Sequence, residues 1–239
     1  SKQLYTNADR LLRASRKMPV IADFENPRQE CLDKFPSRSV IEEGQKAKQA
    51  VSGQAAEILR VATEDLGGLH VVMSNAGITR DAMLFNMTDA EWDQVLAVHL
   101  RGHFLLNRNA AAYWRGLAKK TDAPVYGRLI NTSSEAGLLG PAGQANYGAA
   151  KAGITALTLS ASRALERYGV RANAICPRAR TAMTAQVFGE APADQVDPLS
   201  PDHVVNLVRF LAGPSSDGVN GQVFVVYGPT VTLMAAPEI

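Results

Sequence analysis

The sequence predicts an α/β fold in which a parallel sheet carries helices on both faces. From residue 66 onward, short apolar runs rich in β-branched residues alternate with longer segments of helical periodicity, the order typical of a doubly wound sheet. The chain has 239 residues, 46% of them hydrophobic, which is enough apolar material for one large core. No repeat, low-complexity tract or linker divides it, so residues 1–239 are predicted to form a single domain.

The elements before residue 80 are the least regular. Pro19–Asp23 is a short apolar run that ends in an acid and could be a strand, and residues 40–64 contain two stretches of helical character. Leu69–Met73 is apolar and β-branched, as expected for a buried strand. A tight turn is predicted directly after it, at Ser74–Gly77.

A capping box predicts the start of the next helix. Thr88 is the expected N-cap and Glu91 is the third helical residue, so each side chain can accept a hydrogen bond from the backbone amide of the other. Apolar residues then recur at helical spacing as far as Phe104. Arg128–Thr132 is the next predicted strand. Tyr147–Leu165, rich in Ala and Leu, is the next predicted helix.

The last third of the chain continues the alternation. Val170–Ile175 is a predicted strand, and Pro177 is expected to end it because proline cannot donate to a ladder. Ser200 is the predicted N-cap of a further helix, with Pro201 at its first position. The apolar run Val223–Tyr227 is the last predicted strand.

Composition argues against several classes of function. A net charge of +2 gives no electrostatic argument for nucleic acid or an anionic membrane, and no apolar run reaches the ~20 residues of a membrane span. The histidines lack metal-ligand spacing, so no metal site is predicted. Cys31 and Cys176 are far apart, which favours free thiols over a disulfide. Residues 1–10 are polar and lack a signal-peptide pattern, so a cytoplasmic location is expected.

The candidate chemistry is carried by Tyr147 and Lys151. They are four residues apart on a predicted helix and therefore share one face. An ordinary tyrosine, with a pKa of about 10, is a poor base, but a neighbouring ammonium favours the phenolate. Such a phenol could exchange a proton with an alcohol or a carbonyl oxygen. Ser134, at the end of the preceding strand, could hydrogen-bond the same oxygen. An isolated pair of this spacing is more often only a packed ring and a solvated lysine.

Here the pair is part of an ordered set that resembles the short-chain dehydrogenase/reductase family over residues 66–235. The set comprises Asn75–Gly77 after one strand, Thr132–Ser134 at the end of the next, Tyr147 with Lys151, and Asn173–Pro177. The resemblance implies a Rossmann-like fold and an NAD(P)-dependent hydride transfer between a nicotinamide and an alcohol/carbonyl pair. By the same resemblance, residues 1–65 are expected to be the divergent, cofactor-binding part of the domain.

The resemblance also assigns roles to individual residues. It implies that Tyr147 is the general acid/base, that Lys151 lowers its pKa and holds the nicotinamide ribose, and that Ser134 orients the substrate oxygen. It implies cofactor contacts for five further residues, namely Asn75, Ala76, Gly77, Pro177 and Thr181. Alternatively to a cofactor contact, Gly77 is an ordinary turn glycine and Pro177 only ends a strand.

Two departures from the family pattern qualify these expectations. No glycine precedes Gly44, so the glycine loop that cradles the cofactor's pyrophosphate is absent or divergent, or belongs to residues missing from this sequence. Asp23 stands at about the position of the acid with which the family selects NAD, and there it would favour NAD over NADP. Alternatively, Asp23 is an ordinary aspartate in a loop. His99 replaces the asparagine of the family's catalytic tetrad. It could relay protons near neutral pH or be an ordinary hydrogen-bonded histidine.

The motifs also indicate a branch of the family. Residues 98–102, 143–147 and 177–184 resemble the (3R)-hydroxyacyl-CoA dehydrogenases, a group that includes 17β-hydroxysteroid dehydrogenase type 4, and 3-oxoacyl-thioester reductases are close cousins. The implied partner is a small-molecule substrate, a 3-hydroxyacyl thioester or a hydroxysteroid. The resemblance also implies a homodimer or homotetramer. The rival hypothesis, motivated by the missing glycine loop, is a catalytically inactive member with a structural or binding role.

Overall fold

The structure is a computed structural model that describes residues 44–181, 184, 188–192 and 197–235. In this part of the chain, five strands form one sheet in the order β1-β2-β3-β4-β5. The first four are parallel, and β5 pairs antiparallel with β4. The strands are β1 (Val71–Ser74), β2 (Gly127–Thr132), β3 (Val170–Arg178), β4 (Val223–Tyr227) and β5 (Thr230–Leu233).

Six α-helices accompany the sheet within the described residues. They are α1 (Gly44–Arg60), α2 (Asp89–Leu96), α3 (Gly102–Thr121), α4 (Ala136–Leu139), α5 (Ala145–Leu165) and α6 (Pro201–Ala212). A π-helical segment, Ala97–Arg101, joins α2 to α3, and another, Val61–Asp65, follows α1. Helices cover both faces of the sheet, because α5 packs against β2 and β3 whereas α6 packs against β2 and β4 from the other side. The α/β fold class is therefore confirmed.

Two apolar clusters, one on each face, form the core. Leu129 belongs to the cluster under α1, α3 and α5, and its neighbour Ile130 belongs to the cluster under α6, as the alternation of a buried strand requires. Trp114 of α3 is fully buried, and its indole N–H donates to the Leu69 carbonyl at 2.7 Å. This bond secures α3 beside β1.

The local signals for helix starts are confirmed. The Thr88 hydroxyl accepts from the Glu91 amide at 3.3 Å and the Glu91 carboxylate accepts from the Thr88 amide at 2.8 Å. Ser200 caps α6 by accepting from the Asp202 amide at 3.3 Å. Both caps depend on residues three or fewer positions apart, which explains why sequence alone locates them.

The expected strand end at Pro177 is wrong, because β3 continues to Arg178 with Pro177 in register with Val226 of β4. Ile175 accepts from the amide of Ser133 on the β2 side, so by alternation residue 177 also faces that side. There β2 has already ended at Thr132. The missing N–H of proline therefore interrupts no ladder bond.

No helix in the described part of the chain is long and apolar enough to cross a membrane. Among the described residues there is also no group of three His, Cys, Asp or Glu side chains that could hold a metal ion.

The predicted strand at Pro19–Asp23 lies outside the described residues, and the single-domain assignment stays a prediction.

Candidate active site

The candidate site lies at the carboxyl edge of the sheet, where β1, β2 and β3 end side by side. Asn75–Gly77 follow β1, Ser134 follows β2, and Thr181 follows β3. Helix α5 brings Tyr147 and Lys151 to the same edge. Open parallel α/β sheets bind their ligands in the crevice at this edge.

Lys151 is a buried cation whose ammonium makes one hydrogen bond within the described part of the chain. Its side chain is 2% exposed, and Nζ donates to the Thr132 carbonyl, at the end of β2, at 2.7 Å. Burial lowers the pKa of Lys151 to about 8, partly opposed by the Cys176 thiol. An ammonium has three N–H donors, and no carboxylate among the described residues pairs with this one. The hydroxyls of a nicotinamide ribose are acceptors, so this donor set fits the group that the family resemblance assigns to Lys151.

Tyr147 is half-buried beside Lys151, whose Nζ lies 5.4 Å from the centre of the phenol ring. Burial raises the pKa of Tyr147, and the hydrogen bond with Ser134 opposes that rise. Burial has the largest effect on this pKa, and the predicted lowering by Lys151 stays a prediction. Tyr147 is consequently a protonated phenol at neutral pH.

Ser134 reaches Tyr147 because α4 packs closely on α5. The Ser134 hydroxyl accepts from the Ala136 amide at 3.2 Å, at the start of α4. A Cβ added to Gly137 would lie 2.5 Å from the backbone nitrogen of Ala152 in α5. Only glycine therefore allows this contact between the two backbones. Sequence reasoning missed Gly137, although its position three residues after Ser134 was a usable signal.

His99 lies in the π-helical segment and connects Tyr147 to the turn after β1. Its ring meets the Tyr147 ring edge-on, with 5.2 Å between ring centres, and Nε2 lies 2.8 Å from the Ile78 oxygen and 3.0 Å from the Ile78 nitrogen. Burial, together with the charge of Lys151, lowers the pKa of His99 to about 4. The expected titration of His99 near neutrality is therefore wrong, since the imidazole stays neutral at pH 7.

Gly77 has a specific structural reason to lack a side chain. A Cβ at this position would lie 2.5 Å from Cε1 of His99. The turn therefore packs directly on the imidazole, with Asn75 half-buried and Ala76 exposed. The family resemblance implies a cofactor contact for Gly77, which stays a prediction, whereas the contact in the structure is with His99.

The segment after β3 is held by contacts within the chain. The Thr181 amide donates to the Thr184 hydroxyl at 2.8 Å, and the two hydroxyl oxygens are 3.2 Å apart. Thr181 and the half-buried Pro177 thus lie at the predicted edge of the sheet. Asp23 and the stretch where the glycine loop is expected lie outside the described residues.

Two ion pairs beside the site were missed by sequence reasoning. Arg178 donates through Nε and Nη2 to both carboxylate oxygens of Glu135, at 2.5 and 2.7 Å, and so joins the carboxyl ends of β2 and β3. Arg180 donates to Asp197 at 3.0 Å. Each partner is distant in the chain, so no local pattern reveals either pair.

The fold and the site place the chain in the Rossmann-like class of α/β proteins. Within that class it belongs to the short chain dehydrogenase family, whose model matches residues 5–191. It is 70% identical over 187 residues to hydroxyacyl-CoA dehydrogenase ChsB1 of Mycobacterium tuberculosis, covering 77% of this chain and 59% of that protein. The chain thus spans about 59% of the length of that relative.

Other relatives agree with this assignment. The chain is 35% identical to the 3-oxoacyl-[acyl-carrier-protein] reductase FabG of Vibrio cholerae, covering 72% of this chain and 70% of that one. A crystal structure of a short chain dehydrogenase from Mycobacterium avium matches with a TM-score of 0.69 and 45% identity, covering 79% of this chain and 64% of that one.

Proposed function

We propose that this chain is an NAD(P)-dependent oxidoreductase that interconverts a secondary alcohol and a ketone on a 3-hydroxyacyl thioester. The observation that carries the proposal is the arrangement of Ser134, Tyr147 and Lys151, in which the phenol lies beside the serine and beside a buried ammonium that has no carboxylate partner among the described residues. The names of the relatives support the thioester substrate. A hydroxysteroid is the second candidate substrate.

The chain's own residues would handle the proton and position the substrate. The hydroxyls of Ser134 and Tyr147 would converge on the substrate oxygen and hold it by two hydrogen bonds. In the reductive direction, Tyr147 donates its proton to the oxygen as the ketone becomes an alcohol. In the oxidative direction, it must first lose that proton. Because burial raises the pKa of Tyr147, we expect oxidation to accelerate as the pH rises.

Lys151 and the turn after β1 would hold the cofactor. The nicotinamide supplies or accepts the hydride when bound. The N–H groups of Lys151 that have no acceptor among the described residues fit hydroxyls of the nicotinamide ribose, whereas Asn75, Ala76 and Gly77 would lie against the adenosine ribose. NAD is the preferred cofactor and NADP the second candidate. We assign Pro177 and Thr181 to the nicotinamide end, as the family resemblance implies.

In this proposal His99 is a neutral, positioning side chain. With a pKa of about 4 it is an uncharged imidazole at neutral pH, and its ring contacts both Tyr147 and the turn that contains Gly77. His99 would therefore keep the cofactor turn and the catalytic phenol in fixed relation.

The test is a spectrophotometric assay of the full chain with 3-hydroxybutyryl-CoA and each nicotinamide cofactor, with a hydroxysteroid in parallel. We expect the unsubstituted chain to turn over the thioester. Tyr147→Phe should reduce this turnover by at least about a thousandfold without weakening NAD binding, which calorimetry measures. Full activity in Tyr147→Phe would contradict the proposed mechanism. Calorimetry that detects neither NAD nor NADP would favour the catalytically inactive alternative.

We further propose that the chain assembles as a homodimer or homotetramer. Apolar side chains are exposed around a groove of about 550 Å³ between the loop before α2 and the helices α4 and α5. Phe85 and Leu139 at this groove are 80% and 75% exposed, and β5 is exposed along its whole length. Light scattering coupled to size-exclusion chromatography tests this assignment. A cytoplasmic location stays a prediction.

A further inference from the structure

A continuous network of buried polar side chains extends from the candidate site into the core. Its members lie on α3 and the π-helical segment before it, on β2 and on α5. Each is at most 3% exposed. They are His99, His103, Asn107, Asn131 and Thr158.

The network begins as a ladder on one face of the helix that contains His99. His103 Nδ1 lies 2.7 Å from the His99 carbonyl oxygen, and because a carbonyl can only accept, Nδ1 carries the hydrogen. Asn107 Nδ2 donates to the His103 carbonyl, also at 2.7 Å. The spacing of four residues aligns all three side chains along one stripe.

The ladder then crosses from α3 to the sheet and on to α5. Asn107 and Asn131 exchange two amide hydrogen bonds, of 2.9 and 3.0 Å, and Asn131 Nδ2 donates to the Thr158 hydroxyl at 3.0 Å. All four amide N–H groups of the two asparagines are thereby used. Any slip of α3 relative to β2 would leave some of these buried donors unpaired, so the network admits one register.

The three elements joined by this network each carry a different part of the candidate site. His99 lies in the π-helical segment that leads into α3, Ser134 follows β2, and Tyr147 lies on α5. Asn131 is adjacent to Thr132, whose carbonyl accepts from Lys151. A rotation or slide of any one element would therefore change the distances among His99, Ser134 and Tyr147.

We propose that Asn107 and Asn131 are positioning residues for catalysis, an inference that rests on the proposed dehydrogenase function. Two apolar side chains of similar size could fill the same space with little loss of stability. What they could not supply is a directional constraint on α3, β2 and α5. The pair therefore serves the geometry of the site more than the stability of the fold.

The experiment compares the full chain with Asn107→Leu, Asn131→Leu and the double variant. Asn109→Leu, on the same helix but partly exposed, is the matched control. We expect each single variant to lower both the melting temperature and kcat, the latter by about tenfold or more, with KM changed less than about twofold. In the double variant, melting should recover towards that of the unsubstituted chain, because neither amide is left unpaired, while kcat stays low.

Two outcomes would overturn the proposal. One is a double variant in which kcat recovers together with stability, and the other is a pair of single variants with unchanged kcat. If the leucine variants fail to fold, Thr158→Val decides the question, because it removes only the acceptor on α5. We expect Thr158→Val to lower kcat several-fold and to lower the melting temperature, because one buried N–H of Asn131 loses its acceptor; an unchanged kcat would count against the positioning role.

A readout that needs no turnover separates this proposal from the proposed function. The ring signal of Tyr147 in ¹³C NMR is assigned by its loss in Tyr147→Phe. We expect the double variant to shift it and Asn109→Leu to leave it in place. Absence of turnover with a shifted signal would refute the dehydrogenase function alone, whereas an unshifted signal would refute the positioning role alone.

Discussion

Replacing Lys151 by methionine should abolish turnover and yet stabilise the fold. Lys151 is 2% exposed and has no carboxylate partner in the described part of the chain, and burial lowers its pKa from an ordinary 10.5 to about 8. That difference corresponds to a penalty of about 3 kcal/mol for keeping the ammonium buried at pH 7. Methionine has a similar length and carries no charge.

The net gain should be smaller than this penalty. Removal of the ammonium leaves the Thr132 carbonyl without its donor, which costs about 1–2 kcal/mol. We therefore expect Lys151→Met to raise the free energy of unfolding by about 1–2 kcal/mol at pH 7, or the melting temperature by roughly 2–8 °C for a chain of this size.

The pH dependence supplies the sharper test. Below pH 8, Lys151 is protonated in both the folded and the unfolded chain, so the whole penalty is present. Between pH 8 and 10.5, the folded chain loses this proton first, so the unfolded chain binds more protons and the free energy of unfolding rises with pH. The advantage of Lys151→Met should therefore shrink over this interval.

Urea unfolding at pH 7 and pH 9.5 measures both effects. Lys119→Met, an exposed lysine on α3, is the control and should show neither. A variant less stable than the unsubstituted chain by more than about 1 kcal/mol at pH 7, or a stability difference that is constant with pH, would refute the reasoning.

Three further outcomes follow from close contacts and charges in the site. Gly77→Ala should raise KM for the cofactor and lower the free energy of unfolding by about 1–3 kcal/mol, because its Cβ would lie 2.5 Å from Cε1 of His99; adding His99→Ala should restore stability. His99→Asn should leave the pH profile of kcat between pH 5 and 8 unchanged, because a group with a pKa of about 4 does not titrate there. An ionisation that is present in the profile of the unsubstituted chain and absent from that of the variant would contradict this. Gly137→Ala should lower kcat and destabilise the fold, because its Cβ would lie 2.5 Å from the Ala152 nitrogen. The control Gly116→Ala has open space around its Cβ and should stabilise the fold by about 0.5–1 kcal/mol. Calorimetric melting and steady-state kinetics measure both effects.

Features that depend on near neighbours in the chain were predictable. The capping box at Thr88 and the cap at Ser200 are confirmed because both partners lie within a few residues. The spacing of Tyr147 and Lys151 required only that their segment be helical, and Ser134 was placed by the end of a readable apolar strand. The strand through Pro177 was mispredicted because its length depends on where a different strand, β2, stops.

The sequence by itself determined the order of strands and helices, the family, and which residue types reach the carboxyl edge of the sheet. Only the tertiary structure decided the protonation states, raising the pKa of Tyr147 and lowering those of Lys151 and His99. It also decided the pairing of Asn107 with Asn131, which are 24 residues apart. The reason is that desolvation and directional hydrogen bonds sum over atoms brought together from distant parts of the chain, and no local pattern of residues records that sum.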